Sequence, residues 1–303
     1  MNIMNEFEYE TDLKLLGEVG RVSRDALDYS KHMIKPEMSL LEIASNIEDF
    51  IAQRGCSYAF PTNLSINEQA AHYTPSYDDD MIVKNGDILK VDLGARSADC
   101  ITDCAITINV GNEPDKMIET CDKALEAAIS KVRAGTTMQE IGRVVDDVVT
   151  LGGFTTIKNL GGHGVAKGEL HAEIFIPNYD NGDDTQLEEG QVIAVEVFIT
   201  TGKGYVKEGE EVQIFQKAQG MPRMREMREI AQFIDENYRT YPFAFRWLMK
   251  QFNSEFRIKA TLNELLRSGA LETFPVLVDD GEGIVAQSEK TVLVERDSCK
   301  IIT

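Results

Sequence analysis

The feature that most constrains the fold is a unit of two helices that occurs twice in the chain. Residues 10–33 and 113–133 each carry apolar residues at helical spacing, which predicts two amphipathic helices. A second helical segment follows each of them and opens with a capping box, Ser or Thr three residues before Glu. The boxes lie at matching places: Ser39 with Glu42, and Thr137 with Glu140. The chain therefore repeats a helix pair.

Each repeat leads to a strand that delivers a carboxylate. Gly86 precedes Asp92 by six residues, and Gly190 precedes Glu196 by six. The residues between are rich in apolar and β-branched side chains, which is typical of strands. Short strands often resemble one another by chance, but agreement with the helical repeat predicts two related α/β halves that face each other. A site is expected in the cleft between them.

The stretch Lys90–Val110 places two aspartates on neighbouring strands. An apolar run ends at Asp92, and the run Ile101–Val110 beyond Gly94 carries Asp103. Two carboxylates among apolar residues repel each other unless a positive charge lies between them. This stretch alone leaves a second interpretation open, two ordinary aspartates at a turn or a sheet edge.

Three further residues join these aspartates as candidate metal ligands. Glycines flank His163 and leave its imidazole unshielded, while Glu196 and Glu289 lie in apolar strand runs, where a charge is seldom left unpaired. Taken singly, each glutamate is also explained as a surface-facing strand residue. The complete set has four carboxylates and one imidazole: Asp92, Asp103, His163, Glu196 and Glu289.

Four clustered negative charges predict two divalent cations as counter-charge. This oxygen-rich set with a single nitrogen suits Co²⁺, Mn²⁺, Fe²⁺ or Zn²⁺, and it lacks the thiolates of a structural zinc site. Two such ions about 3.5–4 Å apart, bridged by water, would produce hydroxide at neutral pH and polarise a carbonyl. The predicted chemistry is hydrolysis.

The composition excludes several classes of protein. A net charge of −20 argues against binding to nucleic acid, which needs clustered Lys and Arg. The chain has no apolar run of the ~18 residues that a membrane span needs, and its N-terminus lacks the pattern of a signal peptide. Five cysteines, an odd number without CxxC spacing, indicate free thiols in a reducing compartment. We therefore expect a cytoplasmic protein.

Residues 218–271 interrupt the repeat. Their apolar residues recur at helical spacing. The predicted helices cover Met221–Tyr238, Ala244–Gln251 and Leu262–Arg267. Every candidate ligand lies outside this segment. The prediction is a catalytic domain of residues 1–217 and 272–303, with an inserted helical subdomain of residues 218–271 that shapes substrate access.

Motifs along almost the whole chain match one known family. They are FPTNLSIN (60–67), AHYTP (71–75), VDLG (91–94), TDCA (102–105), GHG (162–164), LH (170–171), VE (195–196) and AQSE (286–289). In these motifs the chain resembles the type II, archaeal-like methionine aminopeptidases, with order and spacing in agreement from about Leu13 onward. The resemblance implies their α+β pita-bread fold, and the helical insertion is similar to the one that separates type II from type I.

For the metal centre, the resemblance implies the same set of residues that the strands suggest. The five family ligands match Asp92, Asp103, His163, Glu196 and Glu289. By the same resemblance, Asp103 and Glu289 bridge both ions. Glu196 would also handle the proton of the attacking water.

For the substrate, the resemblance implies removal of the initiator methionine from nascent chains. His72 and His171 match histidines that contact the substrate around the scissile bond, and Phe60 matches part of the pocket wall for the methionine side chain. We expect a monomer that acts on the N-terminal methionine of nascent peptides, and a transient association with the ribosome is compatible with this role. No membrane or nucleic acid partner is expected.

Two other functions remain open at this point. An Xaa-Pro peptidase of the same fold would share the five ligands, although the FPTNLSIN and AHYTP motifs and the insertion favour the aminopeptidase. A non-catalytic relative that binds RNA or ribosomes would be expected to lose ligands and gain basic surface. This chain keeps the ligands and is acidic.

Two positions depart from the family. Val197 stands where the family usually has Pro, and Lys290 stands where it usually has His. Because proline lacks an N–H, the family fold tolerates a missing donor beside Glu196. We therefore expect the Val197 N–H to face the cleft or a water, and we expect Val197→Pro to be nearly neutral for folding.

Overall fold

The structure, a computed structural model, describes residues 6–218, 220 and 228–303. Its helices are α1 (Glu6–Met33), α2 (Leu40–Ala52), α3 (Lys116–Ile129), α4 (Met138–Gly152), α5 (Arg228–Asn237), α6 (Phe245–Phe252) and α7 (Glu255–Arg267). Its strands are β1 (Ser57–Tyr58), β2 (Asn63–Ile66), β3 (Gln69–Ala71), β4 (Ile88–Leu93), β5 (Ala95–Ser97), β6 (Cys100–Ile101), β7 (Cys104–Asn109), β8 (Thr155–Thr156), β9 (Gly161–Ala166), β10 (Glu169–Pro177), β11 (Val192–Thr200), β12 (Val206–Lys217), β13 (Phe243–Ala244), β14 (Leu271–Asp279), β15 (Val285–Val294) and β16 (Cys299–Ile301). Among the described residues, no helix is long and apolar enough to cross a membrane.

The repeated helix pairs form as the sequence predicts. At the start of α2, the Ser39 hydroxyl accepts a hydrogen bond from the Glu42 N–H at 3.1 Å. At the start of α4, Thr137 and Glu140 form the complete capping box. The cysteines are all free thiols, also as predicted. These local signals depend on neighbours in sequence, so they can be read without the fold.

One large antiparallel sheet carries both halves of the molecule. Its strand order is β10-β9-β11-β15-β7-β4-β2, with β16 added to β15 and β8 added to β11. Helices α1 and α2 pack on the β4 and β7 side of one face, and α3 and α4 pack on the β11 and β15 side of the same face. The opposite face stays free of these helices, and it is the face on which the candidate ligands lie.

The predicted strand Ile101–Val110 is broken in the structure. It forms β6 and β7 with a gap between them, and Asp103 lies in the gap. There the Thr291 hydroxyl accepts from the Asp103 N–H at 2.8 Å and donates to the Asp103 carbonyl at 2.7 Å. The hydroxyl of Thr291, a residue of β15, thus takes the place of a backbone hydrogen-bond partner for Asp103.

The helical segment packs on a second, smaller sheet of order β13-β12-β14-β3. Helices α5, α6 and α7 share one apolar cluster with residues of β12 and β14. Of the predicted helix Met221–Tyr238, residues 221–227 lie outside the described residues. Helix α7 begins at Glu255 instead of Leu262, because buried Ile258 and Thr261 extend its apolar stripe toward the N-terminus. The boundaries of the inserted helical subdomain, residues 218 and 271, stay a prediction.

The expectation for the Val197 N–H is wrong. Val197 lies opposite Ser288 in an uninterrupted register between β11 and β15. The next carbonyl, that of Phe198, accepts from the Ile157 N–H on the other side of β11. Because successive residues of a strand point their backbone groups to opposite sides, the Val197 N–H faces β15 and its pairing with Ser288, not the cleft.

Candidate metal centre

Three of the candidate ligands lie in one row across the sheet. The register pairs Asp92 with Ala105, Ala105 with Glu289, and Glu289 with Glu196. Residues that are directly opposite in neighbouring strands point their side chains to the same face. The row therefore brings carboxylates from β4, β15 and β11 to a single face of the sheet.

The other two candidates reach the same face by the period of two along a strand. Asp103 stands two residues before Ala105, and His163 lies opposite Ala194, which stands two residues before Glu196. Alternate residues of a strand share a face. The sheet thus gathers all five predicted ligands, although they are far apart in sequence.

The geometry of the cluster fits a metal centre. The His163 Nε2 lies 3.4 Å from both the Asp103 Oδ2 and the Glu196 Oε1. One ligand atom from each of Asp103, His163 and Glu289 lies within 4.8 Å of the others. The His163 Nδ1 lies 3.0 Å from the Gly164 carbonyl. A carbonyl only accepts, so Nδ1 donates to it, and Nε2 is the nitrogen that would bind a cation once its own proton is displaced.

Unpaired oxygen atoms give the same indication. Buried oxygens without a hydrogen-bond partner remain on three of the carboxylates: Asp92 Oδ1, Asp103 Oδ1 and Glu289 Oε1. Asp103 is 5% exposed and Glu289 is 2% exposed. Buried ionised oxygens are seldom left without a partner unless they bind a cation. The donor set, several carboxylates and one imidazole, suits a divalent transition metal.

The pKa values of the cluster follow from its crowding. Burial raises the pKa of Asp92 and of Glu289 well above the usual range, and the charge of Asp103 raises both further. Burial also raises the pKa of Glu196, to about 8. Burial alone would lower the pKa of His163, but Asp103 and Glu196 outweigh it and raise the pKa to about 9. A bound cation would relieve the repulsion among these carboxylates.

The two other histidines predicted for the site, His72 and His171, lie beside the cluster. The ring of His171 is 4.4 Å from that of His163, centroid to centroid, and its side chain is exposed to the cavity. Surrounding protein that displaces bulk water lowers the pKa of His171, and the neighbouring His163 lowers it further. Burial likewise lowers the pKa of His72. Both imidazoles are therefore neutral at neutral pH.

His72 is held in an unusual backbone conformation. Its φ is +65°, in the left-handed region that a residue with a side chain rarely adopts. The His72 Nδ1 lies 3.3 Å from the Pro275 carbonyl and donates to it, which leaves the His72 Nε2 as an acceptor. Strained residues of this kind persist where the surrounding structure holds them.

A cavity of about 260 Å³ connects these groups. Asp92, Asp103, His163, Glu196 and Glu289 line it together with His72, His171 and Phe60. Its other walls are mostly apolar: Leu160, Leu170, Phe175, Phe198, Ile214, Pro242 and Phe274. All residues that the sequence predicted for the site thus meet in one cavity.

Sequence reasoning missed some residues of this cavity. Asn63 lines it, is buried, and has an Oδ1 without a partner. Its place in the FPTNLSIN motif was a signal, but its pairing opposite Asp92 is visible only in the register. Pro242 directly precedes β13 and Phe274 lies in β14, and no ligand motif marks either residue.

The two departures from the family have side chains on the other face of the sheet. Val197 and Lys290 each follow a ligand directly, so their side chains point away from the cavity. Val197 is fully buried against the helices, where its carbonyl accepts from the Cys121 thiol at 3.4 Å. Neither side chain lines the cavity.

Comparisons with known proteins agree with this geometry. Residues 14–295 match the model of metallopeptidase family M24. A methionine aminopeptidase of Pyrococcus abyssi is 42% identical over 294 residues, which cover 96% of this chain and 99% of the relative. The structure of methionine aminopeptidase from Thermotoga maritima matches with a TM-score of 0.71 at 21% identity, covering 100% of this chain and 99% of that one. A thermophilic Arx1 matches with a TM-score of 0.83 at 17% identity, covering 96% and 90%. The structural matches confirm the predicted α+β pita-bread fold.

Proposed function

Since the chain belongs to metallopeptidase family M24, we propose that it is an aminopeptidase that removes the initiator methionine from nascent proteins. The observation that carries the proposal is the row of carboxylates from β4, β15 and β11, joined by His163, at the wall of a small and partly apolar cavity. Carboxylates that need cations supply the hydrolytic chemistry, and the apolar walls supply a place for one side chain.

We propose that the centre holds two divalent ions. Asp92, Asp103, His163, Glu196 and Glu289 would hold them. When bound, the ions activate a water molecule and polarise the scissile carbonyl. The unpaired oxygens of Asp92, Asp103 and Glu289 support this assignment.

The remaining groups of the site would handle protons and position the peptide. Glu196, whose pKa burial raises, is suited to take a proton from the attacking water and pass it to the leaving amine. The neutral His171 would donate to the oxygen on which charge develops. The His72 Nε2, left as an acceptor, would receive the N–H of the scissile amide.

The apolar part of the cavity supports methionine as the residue removed. Phe60, Leu170 and Phe274 contribute walls without charge, and the volume of about 260 Å³ leaves room for one side chain of moderate size. An unbranched thioether adapts to such a pocket. The monomeric state, the cytoplasmic location and a transient association with the ribosome stay predictions.

The test is the activity of metal-stripped enzyme with each divalent ion restored in turn. We expect Met-Ala-Ser to be cleaved after methionine, and Ala-Pro peptides to be left intact. Glu196→Gln, which keeps the shape of the side chain, is the matched control for adventitious peptidase and should be inactive. Cleavage of Ala-Pro instead of Met-Ala-Ser would favour the Xaa-Pro peptidase, and binding of RNA without cleavage would favour the non-catalytic relative.

A further inference from the structure

A second buried charge cluster joins the helical subdomain to the catalytic domain. Glu48 of α2 and Arg246 of α6 form an ion pair, and they are 7% and 6% exposed. The Trp247 indole N–H donates to the Glu48 Oε2 at 3.0 Å. A buried ion pair is weak evidence for stability, because removing two charges from water is costly. The other contacts of Glu48 and Arg246 therefore have to indicate the role of this pair.

Arg246 also holds a segment of the catalytic domain. Its Nη1 donates to the Thr74 hydroxyl at 2.6 Å and to the Pro75 carbonyl at 3.1 Å. The Thr74 hydroxyl in turn donates to the Thr62 carbonyl at 2.7 Å. The Glu48 Oε1 accepts from the Thr62 N–H at 3.4 Å. These bonds form a closed network, which we call the clamp: Glu48, Thr62, Thr74 and Arg246.

The two segments held by the clamp are those that carry cavity residues. Thr62 stands two residues after Phe60, and Thr74 stands two residues after His72. Phe60 and His72 line the cavity, and the positive φ of His72 needs surrounding contacts to persist. The Thr74–Thr62 hydrogen bond ties the segment of one to the segment of the other.

We propose that the clamp is the device by which the helical subdomain positions Phe60 and His72 for catalysis. Glu48, Arg246 and Thr74 are positioning residues, since none of them lines the cavity. The proposal rests on the proposed aminopeptidase function and adds the means by which the subdomain acts on the site. A misplacement of about 1 Å can lower a rate by ~10²-fold.

The sharpest test removes only the Thr74 hydroxyl. Thr74→Val keeps the shape and leaves the Glu48–Arg246 pair in place, while Thr74→Ser keeps the hydroxyl and serves as the matched control. We expect Thr74→Val to lower kcat on Met-Ala-Ser by about 10-fold, and to reduce the preference for Met-Ala-Ser over Ala-Ala-Ser, as Phe60 and His72 shift. Thr74→Ser should behave as the parent, and the metal content should be unchanged in both variants.

A second readout does not depend on activity. The chain has four histidines, so imidazole proton signals in NMR spectra can be assigned with single variants. The His72 signal should move in Thr74→Val and stay in place in Thr74→Ser. If the parent fails to cleave Met-Ala-Ser, the proposed function is wrong, while this signal still decides on the clamp. Lower stability of Thr74→Val with an unchanged His72 signal and unchanged substrate preference would overturn the clamp.

Discussion

Two buried charge clusters in this protein are satisfied in opposite ways. In the clamp, both oxygens of Glu48 have protein partners, namely Arg246, the Trp247 indole and the Thr62 N–H. In the metal centre, three of the four carboxylates keep a buried oxygen that no described residue pairs. The carboxylate of Glu48 is thus fully paired within the protein, and the Arg246 Nε is the one clamp atom among the buried unpaired atoms of the described residues. The metal centre, by contrast, needs a bound cation to balance its charge.

The comparison shows what identifies a functional site among buried charges. Both clusters place acids inside the protein, so burial alone does not distinguish them. The unpaired carboxylate oxygens do, because a buried ionised oxygen is seldom left without a partner unless a cation binds to it. Removing a residue should therefore have opposite effects on the stability of the two clusters.

The largest effect on stability is expected in the clamp. Arg246→Ala leaves Glu48 buried without its counter-charge, so we expect a loss of about 3–5 kcal/mol in the free energy of unfolding. Denaturant unfolding measures this loss. Arg257→Ala, which breaks the exposed pair between α7 and Glu229 of α5, is the control and should change little. Similar losses in both variants would contradict a special role for the buried pair.

The opposite outcome is expected when a charge is removed from the metal centre. Metal-free Asp103→Ala should be at least as stable as the metal-free parent, because Asp103 repels Asp92, Glu196 and Glu289. Its metal content should fall strongly, and its activity should fall by more than the ~10–100-fold that loss of an outer-shell partner costs. Metal analysis beside unfolding curves checks both statements. A destabilisation like that of Arg246→Ala would erase the contrast between the clusters.

The difference between the clusters also explains what could be predicted from sequence. The ligands stand in short motifs on apolar strands, so Asp92, Glu196 and Glu289 can be found from residue types and spacing. Their alignment in one row depends on strand register over long sequence separations, which residue patterns do not encode locally. Glu48 and Arg246 look like ordinary helix residues, and only the packing of α6 against α2 brings them together.

Val197 shows why local rules fail at such places. Because the family usually has proline at this position, the sequence suggested a residue without a backbone partner in the sheet. In the structure, Val197 pairs with Ser288. Helix α7 is a milder case, since exposed Phe256 obscures the stripe that Ile258 continues. Helix caps were predictable because they involve residues three apart. Strand pairing was not, since its partners lie elsewhere in the chain.

A smaller effect is expected at His171, where function and stability separate. The side chain faces the cavity and has no hydrogen bond to another described residue, so its removal leaves no buried partner unpaired. We expect His171→Ala to lower kcat by about 10²-fold, as for one lost donor to a developing charge. The melting temperature should change little. Normal turnover with a large loss of stability would mean that His171 stabilises the fold, as the clamp residues do, and does not act in catalysis.

The smallest expected effect concerns Val197, which lies directly under the metal centre on the helix-covered face. On the Ser288 side, the Gln287 N–H donates to the Thr107 hydroxyl at 2.8 Å, so Gln287 faces β7 and Ser288 faces β11. Val197→Pro would therefore remove a ladder hydrogen bond and leave the Ser288 carbonyl unpaired, at a cost of at least about 1 kcal/mol. Denaturant unfolding of the variant beside the parent measures this cost, and hydrogen exchange of the Val197 amide gives a check without mutation. A paired amide should exchange slowly. Fast exchange of this amide, together with an unchanged free energy of unfolding in Val197→Pro, would mean that the Val197 N–H has no hydrogen-bond partner.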